Sequence, residues 1–161
     1  MNKTPEQQAR DNIDRQLEQS GWVVVDKTAI NWGLGPGLAV REYQTEVGPA
    51  DYVLFVDRKP IGVIEAKKEA EGHRLSVHEQ QAEFYAQSQL KWFADSQPLS
   101  FVYESTGVLT RFTDLRDPKP RARPVFSFHH PATLKERLRQ NTSLRQRLQQ
   151  LPDLPVEGLR D

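Results

Sequence analysis

The chain of 161 residues contains no cysteine, so disulfides and thiolate metal sites are both excluded. It has no excess charge of either sign: 22 Lys and Arg balance 22 Asp and Glu, for a formal net charge of zero. A domain that grips nucleic acid on its own is usually basic, so the balance argues against tight independent binding. It leaves room for a local basic patch or for help from other subunits. No apolar run approaches the roughly 18 residues of a membrane span, and the polar start "MNKTPEQQARDNID" lacks the apolar core of a signal peptide. No membrane association is expected, and the cytoplasm is the default location. The pattern GxxxxGK[ST] is missing, so no ATPase can be assigned to this chain. Internal repeats and low-complexity tracts are also missing.

What remains is a modest core on a well-solvated surface, with 37% hydrophobic and 27% charged residues. The length suits one domain. Thr4 is placed to cap a helix with Pro5 in its first turn, Ala9, Ile13 and Leu17 recur every four residues, and Gly21 ends the segment. "WVVVD" (Trp22 to Asp26) and "LAVREYQT" (Leu38 to Thr45) read as strands on either side of the glycine-rich loop "NWGLGPG". Asp51 to Val56 and Ile61 to Ala66 form two more strands around "DRKP". Residues 74–94 read as a helix. "LSFVYES" and "VLTRFTD" form a second hairpin joined near Thr106-Gly107. "RDPKPRARP" is a proline- and arginine-rich loop that either contacts phosphate or is simply solvated. From Thr133 the leucine spacing is helical, and "PDLPVEGLRD" is an irregular tail. The fold expected is α/β, a central mixed β-sheet flanked by helices with a C-terminal helical extension. Its division is 1–130 for the main domain and 131–161 for the C-terminal helix and linker.

The informative stretch is "GPADYVLFVDRKPIGVIEAKKE", where Asp51, Glu65 and Lys67 sit at the ends of apolar strands. Side chains alternate along a strand, so Asp51, Val53 and Phe55 share one face, as do Val63, Glu65 and Lys67. A three-residue hairpin loop sets Asp51 opposite Glu65 or Lys67 on one side of the sheet, and an even loop separates them. The odd register gathers the polar ends at one edge. Converging carboxylates repel, burial raises their pKa values, and a divalent ion such as Mg²⁺ relieves both. Such an ion can polarise a phosphate and activate water, with a lysine beside it to orient the water or stabilise charge. The plainer reading is a pair of solvated strand ends, with Glu65 paired to Lys67 or Lys68. In "EQQAEFYAQ", Gln81 and Tyr85 are four apart and share a helical face, where they either contact DNA or pack at the core rim. His78 lies near the same face. The adjacent His129 and His130 are given no metal.

Together these pieces resemble the PD-(D/E)xK nuclease superfamily, and among its members the N-terminal endonuclease domain of the type I restriction enzyme R (motor/endonuclease) subunit. The resemblance rests on "GPADYVLF", "GVIEAKKE", the Gln-x-x-x-Tyr of "QAEFY", "TPEQQARDNIDRQLEQSGW" and "FVYESTGVLTRFTDL". It implies Asp51 and Glu65 as metal ligands, Lys67 as the catalytic lysine, and Gln81 and Tyr85 as the supporting pair. The backbone carbonyl of Ala66 is a further ligand candidate, and Glu6 is the candidate for a glutamate that some relatives add from the first helix. The proline of the superfamily name falls at Pro49, separated from Asp51 by Ala50. The resemblance further implies Mg²⁺, double-stranded DNA as substrate, C-terminal motor domains on the same polypeptide, and specificity and methyltransferase subunits as partners. ATP would serve the full-length protein and AdoMet the complex. A non-catalytic DNA-binding or docking module on the same fold is the alternative, and a freestanding repair nuclease or junction resolvase is a third reading.

Overall fold

The computed structural model describes residues 3–45, 48–68 and 99–140. The first helix, α1, spans Pro5–Gln19. Thr4 accepts a hydrogen bond from the Gln7 amide while the Gln7 side chain accepts from the Thr4 amide, a reciprocal cap that fixes where the helix starts. Ala9, Ile13 and Leu17 are its buried stripe, as the four-residue spacing predicts.

Seven strands follow in chain order across one sheet: β1 Val23–Asp26, β2 Gly37–Thr45, β3 Gly48–Val56, β4 Lys59–Ala66, β5 Phe101–Ser105, β6 Thr110–Asp114 and β7 Arg123–Val125. The β1–β2 and β4–β5 pairs are parallel and the others antiparallel, so the sheet is mixed. β7 was not expected. It lies inside the proline- and arginine-rich segment, and Pro124 is tolerated because the strand is at the sheet's edge. A second described helix, α2, spans Pro131–Arg139. The expected helix over residues 74–94 and the chain beyond Gln140 lie outside the described residues. Among the described residues no helix is long and apolar enough to cross a membrane.

The two faces of the sheet carry separate apolar layers. On one, Ile13 and Leu17 of α1 and Leu134 of α2 pack with Tyr52, Leu54, Ile64, Phe101 and Tyr103. On the other, Leu38, Val40, Val53, Phe55, Val63 and Val102 cluster together. α2 reaches the sheet because Gly37 has no side chain: a Cβ there would come within 2.5 Å of Pro131 and 2.8 Å of Trp22. The β5–β6 turn is tied to α1, with Gln16 Nε2 donating to the Gly107 carbonyl at 2.5 Å.

The β3–β4 hairpin corrects the sequence reading. Its loop is even, only Asp57-Arg58, both with positive φ as a two-residue hairpin turn requires. Pairing runs Val56↔Lys59 and Phe55↔Pro60, then jumps to Leu54↔Gly62. Ile61 is thus an extra residue, a β-bulge that shifts the register by one. The bulge does what a three-residue loop was expected to do, and Val53 faces Val63 and Tyr52 faces Ile64.

Leu134 is fully buried, whereas Leu109 in the β5–β6 turn is 53% exposed. Leu134→Ala should destabilise the domain by about 2–5 kcal/mol in urea unfolding, and Leu109→Ala by less than about 0.5 kcal/mol. Equal effects would contradict the packing of α2 against the sheet.

Candidate active site

The ladder between β3 and β4 ends at Tyr52↔Ile64. Past that point β3 stays with β2 through Tyr43↔Ala50 and Thr45↔Gly48. β4 stays with β5, through Ala66↔Ser105 and a 2.7 Å bond from the Lys67 amide to the Ser105 carbonyl. The two halves of the sheet therefore part, and the register carried one step further sets Asp51 opposite Glu65.

The next inward-facing amide on β4 belongs to Ala66. It finds no backbone carbonyl on β3 and donates instead to Asp51 Oδ2 at 2.9 Å. Backbone groups of one strand residue point to the same side in an antiparallel ladder, so the Ala66 carbonyl also faces the opening between the strands. Asp51 is freed to turn inward by a kink in β2. Glu42, which would be its cross-strand partner, drops out of the register and takes φ 54°, a left-handed conformation that costs a glutamate roughly 1–2 kcal/mol. The kink also reverses the alternation, so Val40 and Tyr43, three apart, lie in the same layer.

Glu65 is 6% exposed and in hydrogen-bonding contact with Asp51. Burial first, then the charge of Asp51, push its carboxyl up to about 8, with Lys67 pulling the other way and Glu104 adding to the rise. Glu104 is its direct partner across the parallel β4–β5 pair. Lys67, nearly buried, holds its Nζ 3.8 Å from Glu65 Oε2. Asp51, Glu65, Lys67 and the Ala66 carbonyl thus meet at one sheet opening.

Three residues here escaped the sequence reading. Arg10 of α1 ion-pairs with Asp51 Oδ1 and reaches Glu42 Oε1 at 3.2 Å. Burial alone would lower its pKa, but Asp51 and then Glu42 raise it. Arg10 lies one position beyond the buried Ala9, at the rim of the stripe, where a helical projection of α1 could have found it. Glu42 and Glu104 gave no such signal. Below Arg10, the Tyr52 hydroxyl donates to Asp14 Oδ1 at 2.5 Å, and Arg41 Nη2 donates to Asp14 Oδ2 at 2.6 Å. That network raises the Tyr52 phenol by burial and by Asp14, and keeps it a donor.

Glu6 stands at the same end of α1 but pairs with Lys68, Nζ to Oε1 at 3.9 Å, and not with the two carboxylates. Gln81, Tyr85 and His78 lie outside the described residues. His129 bonds the Tyr103 hydroxyl of β5 through Nδ1 at 2.6 Å. Arg116 is bound to Asp114 and to the Arg137 carbonyl, so its role is to hold the loop onto α2.

The donors at the opening are hard oxygens. Among the described residues no three carboxylate or imidazole groups converge closely enough to hold an ion. Two carboxylates, a carbonyl and several waters are nonetheless the kind of set that suits Mg²⁺, which seldom takes an all-protein shell. An ion would also supply the positive charge that Glu65 now obtains from a proton.

Comparison with known proteins finds restriction enzymes. Residues 33–101 match the family described as the second domain of the type I restriction enzyme EcoKI endonuclease subunit. The chain is 41% identical over 75 residues to the type I restriction enzyme EcoKI endonuclease subunit of Escherichia coli (strain K12), covering 39% of this chain and 6% of that protein. A fragment described as an HsdR subunit of a type I restriction enzyme from Vibrio vulnificus YJ016 superposes with a TM-score of 0.60 at 22% identity, over 88% of this chain and 26% of that one. The chain thus spans a small part of the relatives it matches, and the last likeness bears on the fold alone, a mixed α/β sheet.

An unfolded glutamate gives up its proton near 4.5, and the folded chain keeps it on Glu65 to about 8. The folded state therefore holds one extra proton between those values, and stability falls as pH rises through that window. In EDTA, the melting temperature of Glu65→Gln minus that of the parent should be higher near pH 8 than near pH 5 by at least about 3 °C. A difference that does not change with pH would contradict the burial and charge assigned to Glu65.

Proposed function

We propose that this chain, which over residues 33–101 matches the model of a type I restriction enzyme endonuclease-subunit domain, belongs to that family and hydrolyses phosphodiester bonds in double-stranded DNA with the help of Mg²⁺. The observation that carries the reading is the parting of β3 and β4. It brings Asp51, Glu65 and Lys67 together, although 14 positions separate the first two in the sequence.

In this reading Asp51, Glu65 and the Ala66 carbonyl hold the ion. When bound, it supplies a Lewis acid for a phosphate oxygen and a more acidic water. Lys67 faces the same opening from the Glu65 side, where it orients water or stabilises negative charge on the phosphate. Glu65 must lose its proton to become a ligand, so metal binding should strengthen as pH rises. Glu6, beside Lys68, can reach the ion only if that pair opens. Gln81 and Tyr85 retain their proposed role at the DNA.

The neutral chain leaves DNA recognition and translocation to other parts of a cytoplasmic restriction complex. We assign ATP to motor domains and AdoMet to methyltransferase and specificity partners, with residues 131–161 leading from the nuclease domain towards the motor. A non-catalytic module on the same fold would not need Lys67 nearly buried beside a carboxylate that burial protonates.

The test is cleavage of double-stranded DNA by the assembled complex with Mg²⁺. Asp51→Ala, Glu65→Ala and Lys67→Ala should each reduce the rate at least about a hundredfold. Lys67→Ala should keep ion binding, and Asp51→Ala should lose it. Cleavage that survives all three changes would overturn the nuclease assignment and favour the docking module.

A further inference from the structure

We propose that Arg10 is a built-in counter-ion for the site: it occupies the Asp51 oxygen that a divalent ion would take, and the ion must displace it onto Glu42. This deepens the metal reading and rests on it. The geometry points to displacement because the two oxygens of Asp51 are both committed. Oδ2 accepts from the Ala66 amide, a bond that holds the parted strands, and Oδ1 is ion-paired with Arg10. An incoming ion therefore competes with the guanidinium for the same oxygen.

Glu42 gives the displaced side chain somewhere to go. Arg10 is a fork: Nη2 lies on Asp51 while Nη1 lies 3.2 Å from Glu42 Oε1. The left-handed kink at Glu42 removes that residue from the ladder next to Asp51. Glu42 stays more than half exposed, so it can keep the guanidinium in water at the rim. The arrangement accounts for a carboxylate pair that stays folded without an ion. Arg10 offsets the charge on Asp51. Arg10 is a positioning residue in this account, acting on the ion through Asp51.

Mn²⁺ titration calorimetry on the full chain tests the proposal, with melting in EDTA as a second readout. Arg10→Gln should bind Mn²⁺ roughly tenfold more tightly than the parent, the size of one charge-assisted bond lost from the competing state. Arg10→Lys, which keeps the charge but loses the fork, should fall between them. Glu42→Gln should weaken binding in the parent and have no effect once Arg10 is Gln, a coupling that a double-mutant cycle isolates. Arg15→Gln removes an exposed charge from the same helix and should leave the affinity unchanged. In EDTA, Arg10→Gln should melt lower than the parent.

Unchanged or weaker Mn²⁺ binding by Arg10→Gln, with the parent binding normally, would overturn the proposal. An equal gain in Arg15→Gln would overturn it too, because net charge would then explain the effect. If neither the parent nor Arg10→Gln binds Mn²⁺, the metal reading fails and the displacement step with it. Lower melting of Arg10→Gln in EDTA would then still support the counter-ion contact alone.

Discussion

The hydrogen bond from the Ala66 amide to Asp51 Oδ2 is the contact on which the site depends. Where two strands part, their inward amides lose their partners, and a buried amide left unsatisfied is costly. Here a side chain takes the place of the missing carbonyl. The substitution fixes the width of the opening and the direction of Asp51 together. It also forces a carboxylate against Glu65, so the electrostatic conflict in the site is a consequence of how the sheet is closed. The same opening turns the Ala66 carbonyl inward.

That conflict is resolved without an ion by two different cations. Burial and the charge of Asp51 favour the protonated form of the more buried carboxylate, Glu65, and a guanidinium rests on the less buried one, Asp51. Each is exchangeable, the proton by pH and the guanidinium by rotation of a side chain that is 40% exposed. The surroundings are less free. Tyr52, Asp14 and Arg41 bind one another just beneath Arg10, and the parallel partner strand β5 presses Glu104 against Glu65. A rigid frame with exchangeable cations is suited to taking up an ion at the moment it is needed.

The sequence made much of this legible, and unevenly. α1 was readable because Thr4, Pro5 and the four-residue apolar spacing are local signals. The meeting of Asp51 and Glu65 followed from strand alternation, yet the device that achieves it was misread. "DRKP" looks like the whole turn, and only tertiary pairing shows that Lys59 and Pro60 belong to the strand and that Ile61 is a bulge. β7 was hidden by Pro124, which is compatible with a strand only at an edge. A helical projection sets Arg10 at the rim of the α1 stripe, but its contact with Glu42 depends on the angle at which α1 crosses the sheet, and Glu104 was missed because parallel pairing joins segments almost forty residues apart. Such non-local geometry leaves no mark in a window of sequence. Leu134, set in the sequence reading beyond the main domain, is buried in the same layer as Phe128 and Trp22.

The account's central claim is that Asp51, Glu65 and the Ala66 carbonyl surround one hard cation. The most direct measurement is the anomalous scattering of Mn²⁺ in crystals of this chain grown above neutral pH. The account predicts one peak in the opening between β3 and β4, in contact with both carboxylates, with the Arg10 guanidinium moved off Asp51. Saturating Mn²⁺ with no density there, and Arg10 still seated on Asp51, would contradict it.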